Sequence, residues 1–232
     1  VTMGAGAMEG VEIVRHPRAR RCTLSIDPAS GRARLVVPRR AALATALAWA
    51  KGQGEWLAAQ RALLPQARPF AIGTTLTVAD EAITIVRDEG RRRALVRDGD
   101  RLLVAGPEET IARRVEAWLR AAALDLLTAE TAEFAAKAGV TVAQVGIGDP
   151  RRRWGSCASS GIIRYSWRLV LAPGHVRRAT VAHEVAHRVH MNHGPQFHAL
   201  VATLFGADPA PARAWLREHG ASLHWFGRGS CG

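Results

Sequence analysis

The run His183-Glu184-Val185-Ala186-His187 sets two imidazoles at i and i+4 with a carboxyl group beside the first. On a helix that spacing brings both rings to one face, with Cβ atoms about 6 Å apart. Two neutral imidazoles so placed can hold one Zn2+ at about 2.0–2.1 Å each. Glu184 then points beside the metal, where it can take the proton from a metal-bound water acidified to a pKa of about 7. Metal-assisted hydrolysis is the chemistry these residue types predict. Val176, Thr180, His183 and His187 share one helical stripe, and Val181, Ala182, Val185, Ala186 and Val189 make the rest of the helix apolar. A helix apolar nearly all round is a buried one, and a glutamate buried beside two histidines needs a partner that justifies it.

A catalytic zinc takes a third protein ligand and keeps one position open. The downstream candidates are His190, His193, His198, Glu218, His219 and His224. His190 extends the same helical face but sits a turn further from the metal. His193 falls six residues after His187, among the turn formers Asn192, Gly194 and Pro195, which suit a chain that leaves the helix and swings back. Glu218 is the acidic alternative and requires the last helix to pack across the first. Of these two, the spacing favours His193.

These side chains need elements to hold them. Val11 to Val14, Cys22 to Ile26 and Ala33 to Val37 are short runs rich in β-branched residues, divided by proline and glycine turns. Residues 41–64 fit an amphipathic helix that Gly52 and Gly54 weaken and can divide, with Leu43, Leu47, Trp49, Trp56, Leu57 and Leu64 as candidate buried positions. Further strands are expected at Thr75 to Val78, Ile83 to Val86, Ala94 to Arg97 and Leu102 to Val104, with Asp98-Gly99 a hairpin turn. Pro107 opens a long helix that Gly139 closes. Strands are expected again at Val142 to Ile147, Arg153 to Ser156, Ile162 to Tyr165 and Trp167 to Leu171. Pro173-Gly174 starts the motif helix, and helices follow from about Pro195 to Phe205 and Pro209 to His219. The fold class is α+β. A strand-rich part, residues 1–106, precedes a catalytic part, residues 107–232, whose active-site helix lies against a small antiparallel or mixed sheet.

Composition narrows the setting. Of 232 residues, 48% are apolar and 22% charged, ordinary values for a folded chain with a real core. No stretch approaches the roughly 18 apolar residues of a membrane span, and the first residues carry no basic run followed by an apolar one, so no membrane or export role is expected. Cys22, Cys157 and Cys231 are odd in number, far apart and never in a C-x-x-C pair, which fits a reducing, cytoplasmic setting and no thiolate metal site. The net charge is +12, and residues 141–232 carry 11 basic against 4 acidic side chains. Such a field suits acidic partners or nucleic acid. Only two of the 32 basic residues are lysines, however, so an Arg- and Ala-rich bias of the coding sequence explains much of it.

Several strings together resemble the YgjP-like family of metallopeptidase domains, which lies close to the SprT-like zincins. They are Arg153-Trp154-Gly155-Ser156-Cys157, Trp167-Arg168-Leu169, Ala172-Pro173, His183-Glu184-x-x-His187, and Asn192-His193-Gly194 with Phe197 after them. Arg20-Arg21-Cys22-Thr23-Leu24-Ser25-Ile26 and Ala214-Trp215-Leu216 fit the same pattern. The resemblance implies a compact zincin with His183, His187 and His193 as zinc ligands, Glu184 as general base, and a sheet edge that holds an extended peptide. Trp154, Trp167 and Arg168 become candidates for the cleft walls, with core and hairpin packing as the plainer reading. For Arg168 the roles are orienting a substrate carbonyl or a helix end. Ala179, Arg188, His198 and Arg152 depart from the family's usual residues, which touches pocket shape and not the metal.

The expected activity is zinc-dependent hydrolysis of peptide bonds in a peptide or protein substrate. Two alternatives keep parts of this reading: a zinc hydrolase of a phosphate-bearing small molecule such as a nucleotide, and a nucleic-acid-associated protease or binding module using the basic surface.

Overall fold

The computed structural model describes residues 10–90 and 95–229; Cys231 and Ala94 lie outside them. The chain divides into two compact units, residues 1–66 and 67–232.

In the first unit, β1 (Val11–His16), β2 (Thr23–Ile26) and β3 (Ala33–Pro38) form a sheet of order β1-β3-β2. β1 runs parallel to the central β3 and β2 antiparallel to it. The expected helix over 41–64 is divided, into α1 (Leu43–Lys51) and α2 (Gly54–Ala62), with Gly52 as the cap of α1. The break resets the helical register. Ala46, Ala50 and Leu57 bury against Leu35 and Val37, while Trp49 and Trp56, expected inside, are 41% and 39% exposed.

The second unit holds two sheets. β4 (Thr75–Val78), β5 (Glu81–Arg87), β6 (Val96–Asp98) and β7 (Arg101–Val104) take the order β4-β5-β7-β6. The 31-residue α3 (Glu108–Ala138) follows, and Gly139 ends it in the left-handed conformation (φ 64°) that a helix-terminating glycine supplies. β8 (Gln144–Gly148), β9 (Gly155–Cys157) and β10 (Ile162–Ser166) form the second sheet, order β8-β10-β9, so β9 is an edge strand. Next come a 3-10 helix over Trp167–Leu171, then α4 (Gly174–Ala186), α5 (Pro195–Phe205) and α6 (Ala210–Leu223).

Two features differ from the sequence expectation. Trp167–Leu171 is a buried 3-10 turn and not a strand paired with Ile162–Tyr165. Only Ser166 separates the two runs, and even the tightest common hairpin needs two loop residues. The compact units also divide near residue 66 and not near 106. The apolar faces of β5 and β7 (Ile83, Ile85, Leu102, Val104) join one core with Val115 and Leu119 of α3 and Val181 and Val185 of α4, so these strands pack with the helices that follow them. Among the described residues no helix is long and apolar enough to cross a membrane.

The helix α4 is anchored from a distance. Val78 and Glu81 are joined by a two-residue turn with positive φ at both Ala79 (51°) and Asp80 (71°), the geometry that matches strand twist in a tight hairpin. The turn aims the Asp80 carboxylate at the start of α4, where it accepts the Gly174 N–H at 2.6 Å. The Ala79 N–H donates to the Val170 carbonyl at 2.8 Å. Pro173 precedes α4 without a side chain that can cap it, so a carboxylate 94 residues away does so. Arg177, one turn on, bonds both Asp80 (3.3 Å) and Glu130 of α3 (3.0 Å). Replacing Asp80 by alanine should lower stability in urea unfolding by about 1–2 kcal/mol. Asp80→Asn, which keeps the acceptor and tolerates positive φ, should recover more than half of that loss. Equal losses in the two variants would show that the cap is not what holds the helix.

Candidate metal centre

The helix α4 carries His183 and Glu184, and His187 is the residue that closes it, still helical at φ −65° and ψ −16°. The i, i+4 relation therefore survives to the helix end. Beyond it the chain tightens, with the N–H groups of Val189 and His190 both bonded to the Ala186 carbonyl at 3.0 Å. Asn192, His193 and Gly194 then turn the chain into α5, which opens on Pro195. That reversal brings His193 Nε2 to 3.2 Å from His183 Nε2.

Ring nitrogens of His183, His187 and His193 all lie within 4.8 Å of one another. Tetrahedral bonds of 2.0–2.1 Å would set ligand nitrogens roughly 3.3 Å apart, close to the 3.2 Å of the His183–His193 pair. The Nδ1–H of His187 donates to the His190 carbonyl at 3.1 Å; a carbonyl only accepts, so this bond leaves the Nε2 lone pair free for a ligand. Phe197 is fully buried beneath the three rings, at centroid distances of 4.9, 4.5 and 4.7 Å. Burial first, and then the neighbouring His187 and His193, push the His183 pKa down to about 4, and burial also lowers that of His187. Both rings are thus neutral at pH 7, as metal ligands must be. Three ring nitrogens converging on one point fit a metal ion.

Glu184 is 6% exposed. Its burial lifts the pKa from 4.5 to about 7, against the opposing pull of Arg153. Room for it comes from the edge strand: a β-carbon on Gly155 would lie 2.6 Å from Glu184 Cγ and 2.7 Å from Cδ. A cavity of about 260 Å3 opens beside His183 and Glu184, lined among others by Trp154, Gly155, Val201 and Leu216.

Of the cleft residues expected from the sequence, Trp154 lines this cavity. Trp167 is fully buried in the core. Arg168 lies over the Trp167 ring (4.4 Å), binds both oxygens of Asp149 (2.7 and 3.0 Å), and donates to the carbonyls of Leu223 (2.8 Å) and Phe226 (3.1 Å). Its position is therefore at the end of α6, the second of the two roles weighed for it. Glu218, the rival third ligand, lies outside the cluster, its side chain 75% exposed beside His219. His224 packs on Trp154 at 5.4 Å.

Sequence reasoning missed the contacts of Gly155 and Gly220. Gly220 lies within α6, and a β-carbon there would come within 2.8 Å of the Trp154 indole. The sequence pattern ends the last helix near His219, whereas α6 runs on to Leu223, so Gly220 carried no signal as a helix-interior glycine. Gly155 left no signal either.

An α+β domain that folds three histidines and a buried carboxyl group around one point is of the metallohydrolase class. The family model described as YgjP-like, metallopeptidase domain, matches residues 20–219, and the chain belongs to that family. No curated protein and no solved structure matches it.

The raised pKa of Glu184 has a consequence for the metal-free protein. The folded state holds this proton more tightly than the unfolded chain, so the stabilisation is complete below pH 4.5 and is lost as pH rises towards 7. The size of the shift corresponds to roughly 3 kcal/mol. Glu184→Gln cannot titrate and removes this dependence, while the opposite contribution of His183 remains in both proteins. In EDTA, the stability of the variant relative to the parent should rise by an amount of that order between pH 4.5 and 8. A constant difference would mean that Glu184 is not buried as described.

Proposed function

We propose that the protein is a zinc metallopeptidase in which His183, His187 and His193 hold the ion and Glu184 is the general base. The observation that carries this reading is the placement of a buried, readily protonated carboxyl group beside three converging imidazoles. Bound zinc would supply Lewis acidity, polarising a substrate carbonyl and lowering the pKa of a coordinated water to about 7. Glu184, with its own pKa near 7, is matched to take a proton from the attacking water and return it to the leaving amine nitrogen.

The edge strand supports a peptide substrate. Ser166 N–H donates to the Trp154 carbonyl (2.8 Å) and Ala158 N–H to that of Ile162 (2.9 Å), so these β9-flanking groups face β10. By the alternation of a strand, the backbone N–H and C=O of Gly155 and Cys157 face the other way, along the free edge. An extended peptide can add to such an edge, and here it would pass Gly155, which is in contact with Glu184.

Metal analysis and turnover test this together. Purified protein should bind about one zinc per chain. His193→Ala should weaken zinc affinity by well over tenfold, and Glu218→Ala should leave it unchanged. Glu184→Gln should keep the metal and lose activity on peptides by roughly a hundredfold or more. Gly155→Ala should also retain zinc and lose activity, because the added methyl group displaces the Glu184 carboxyl. Zinc loss only in Glu218→Ala, or chelator-sensitive hydrolysis of nucleotides in place of peptides, would replace this reading.

A further inference from the structure

The cavity beside Glu184 combines two kinds of surface. Trp154, Ala179, Val201, Ala212 and Leu216 make an apolar lining, and Arg153 and Arg213 line it as well. Other arginines of this unit are committed: Arg168 to Asp149, Arg177 to Glu130, and Arg178 to Glu133. Among the described residues the side chains of Arg153 and Arg213 make no hydrogen bond or ion pair. Residues 141–232 carry four acidic side chains, Asp149, Glu184, Asp208 and Glu218, and of these only Glu184 lines the same cavity, where burial favours its neutral form against the pull of Arg153. Asp149 is held by Arg168, and Glu218 lies beside His219.

We infer that this cavity is the subsite that selects the substrate, and that it takes a peptide residue ending in a carboxylate. The apolar stem of that residue lies against Trp154, Ala212 and Leu216, and its carboxylate meets Arg153 and Arg213. The inference rests on the peptidase reading above. A volume of about 260 Å3 is below the roughly 300–1,000 Å3 of pockets that enclose drug-sized molecules. It suits one side chain or one chain end and not a whole nucleotide. Guanidinium groups match a carboxylate geometrically, with two parallel N–H bonds, and repel a lysine or arginine in the same place. The carboxylate has two sources, a glutamate side chain within a chain or the α-carboxylate at its end.

The test uses zinc-loaded full-length protein and four matched peptides: internal Glu against internal Gln, and a free C-terminal carboxylate against its amide. The carboxylate member of one pair should be cleaved with kcat/KM at least tenfold above its neutral partner, and the pair that shows it identifies the source. Product masses then place the cleaved bond beside that residue. Arg153→Gln/Arg213→Gln, two exposed positions whose loss leaves the core intact, should bring the ratio close to one with zinc content unchanged. Dissociation constants for the same peptides on zinc-loaded Glu184→Gln read the preference without turnover. Equal affinity for the members of both pairs, or an unchanged ratio in the double variant, overturns the subsite. Carboxylate-selective binding with no cleavage by the parent overturns the peptidase reading and leaves the binding subsite standing.

Discussion

Taking a carboxyl group and two imidazoles out of water inside an apolar helix costs several kcal/mol unless each finds a compensating partner. α4 nevertheless places Glu184 and His183 among Val181, Ala182, Val185 and Ala186, all fully buried. The protein meets that cost by letting the groups adopt their neutral forms. Glu184 holds its proton to a pH of about 7, and His183 stays deprotonated down to about 4. The same neutrality suits the rings to a metal ion and the carboxyl group to proton transfer. Burial that weakens the metal-free fold is thus also what tunes the site.

A helix carrying that load has to be held in place by groups outside it. Its N-terminus is held by Asp80, set in a hairpin turn of the first sheet of its unit. Arg177 ties its first turns to Glu130 in α3, a pair in which burial raises the Glu130 pKa against the pull of Arg177. Glu130 Oε2 and Arg177 Nη1 remain buried without partners. So incompletely bonded an ion pair adds little net stability, and its value is in fixing how α3 and α4 meet. Past the other end, Arg188 donates to the carbonyls of Thr141 and Ser159, both at 3.1 Å, and ties the helix exit to the β8–β10 sheet. The two ends are therefore referenced to different sheets.

The cavity wall is positioned by a second polar group. Asp149 binds Arg168, which in turn holds the carbonyls at the end of α6, while His224 lies 3.8 Å from Asp149 and packs on Trp154. Gly220 lets α6 approach the same indole. Burial raises the Asp149 pKa, but its hydrogen bonds and charge contact with Arg168 outweigh that and keep the carboxylate ionised. Trp154 is thus set between α6 and the strand that borders Glu184.

The sequence by itself determined the helix that carries His183 and His187, most of the strand and helix order, and the reversal that returns His193. Each of these depends on interactions a few residues long: the i, i+4 spacing, the turn chemistry of Asn192-His193-Gly194-Pro195, the helix stop at Gly139. Tertiary structure decided what those local rules cannot reach. It turned Trp167–Leu171 into a buried 3-10 segment, sent Arg168 to the end of α6, and placed Arg153 and Arg213 on one cavity. It joined the strands of residues 75–104 to the helices after them. It also set Gly155 against Glu184 and Asp80 against Gly174. Those contacts join residues 29 and 94 positions apart, and no periodicity along the chain encodes them, because they exist only once the apolar faces have packed and fixed which backbones come close.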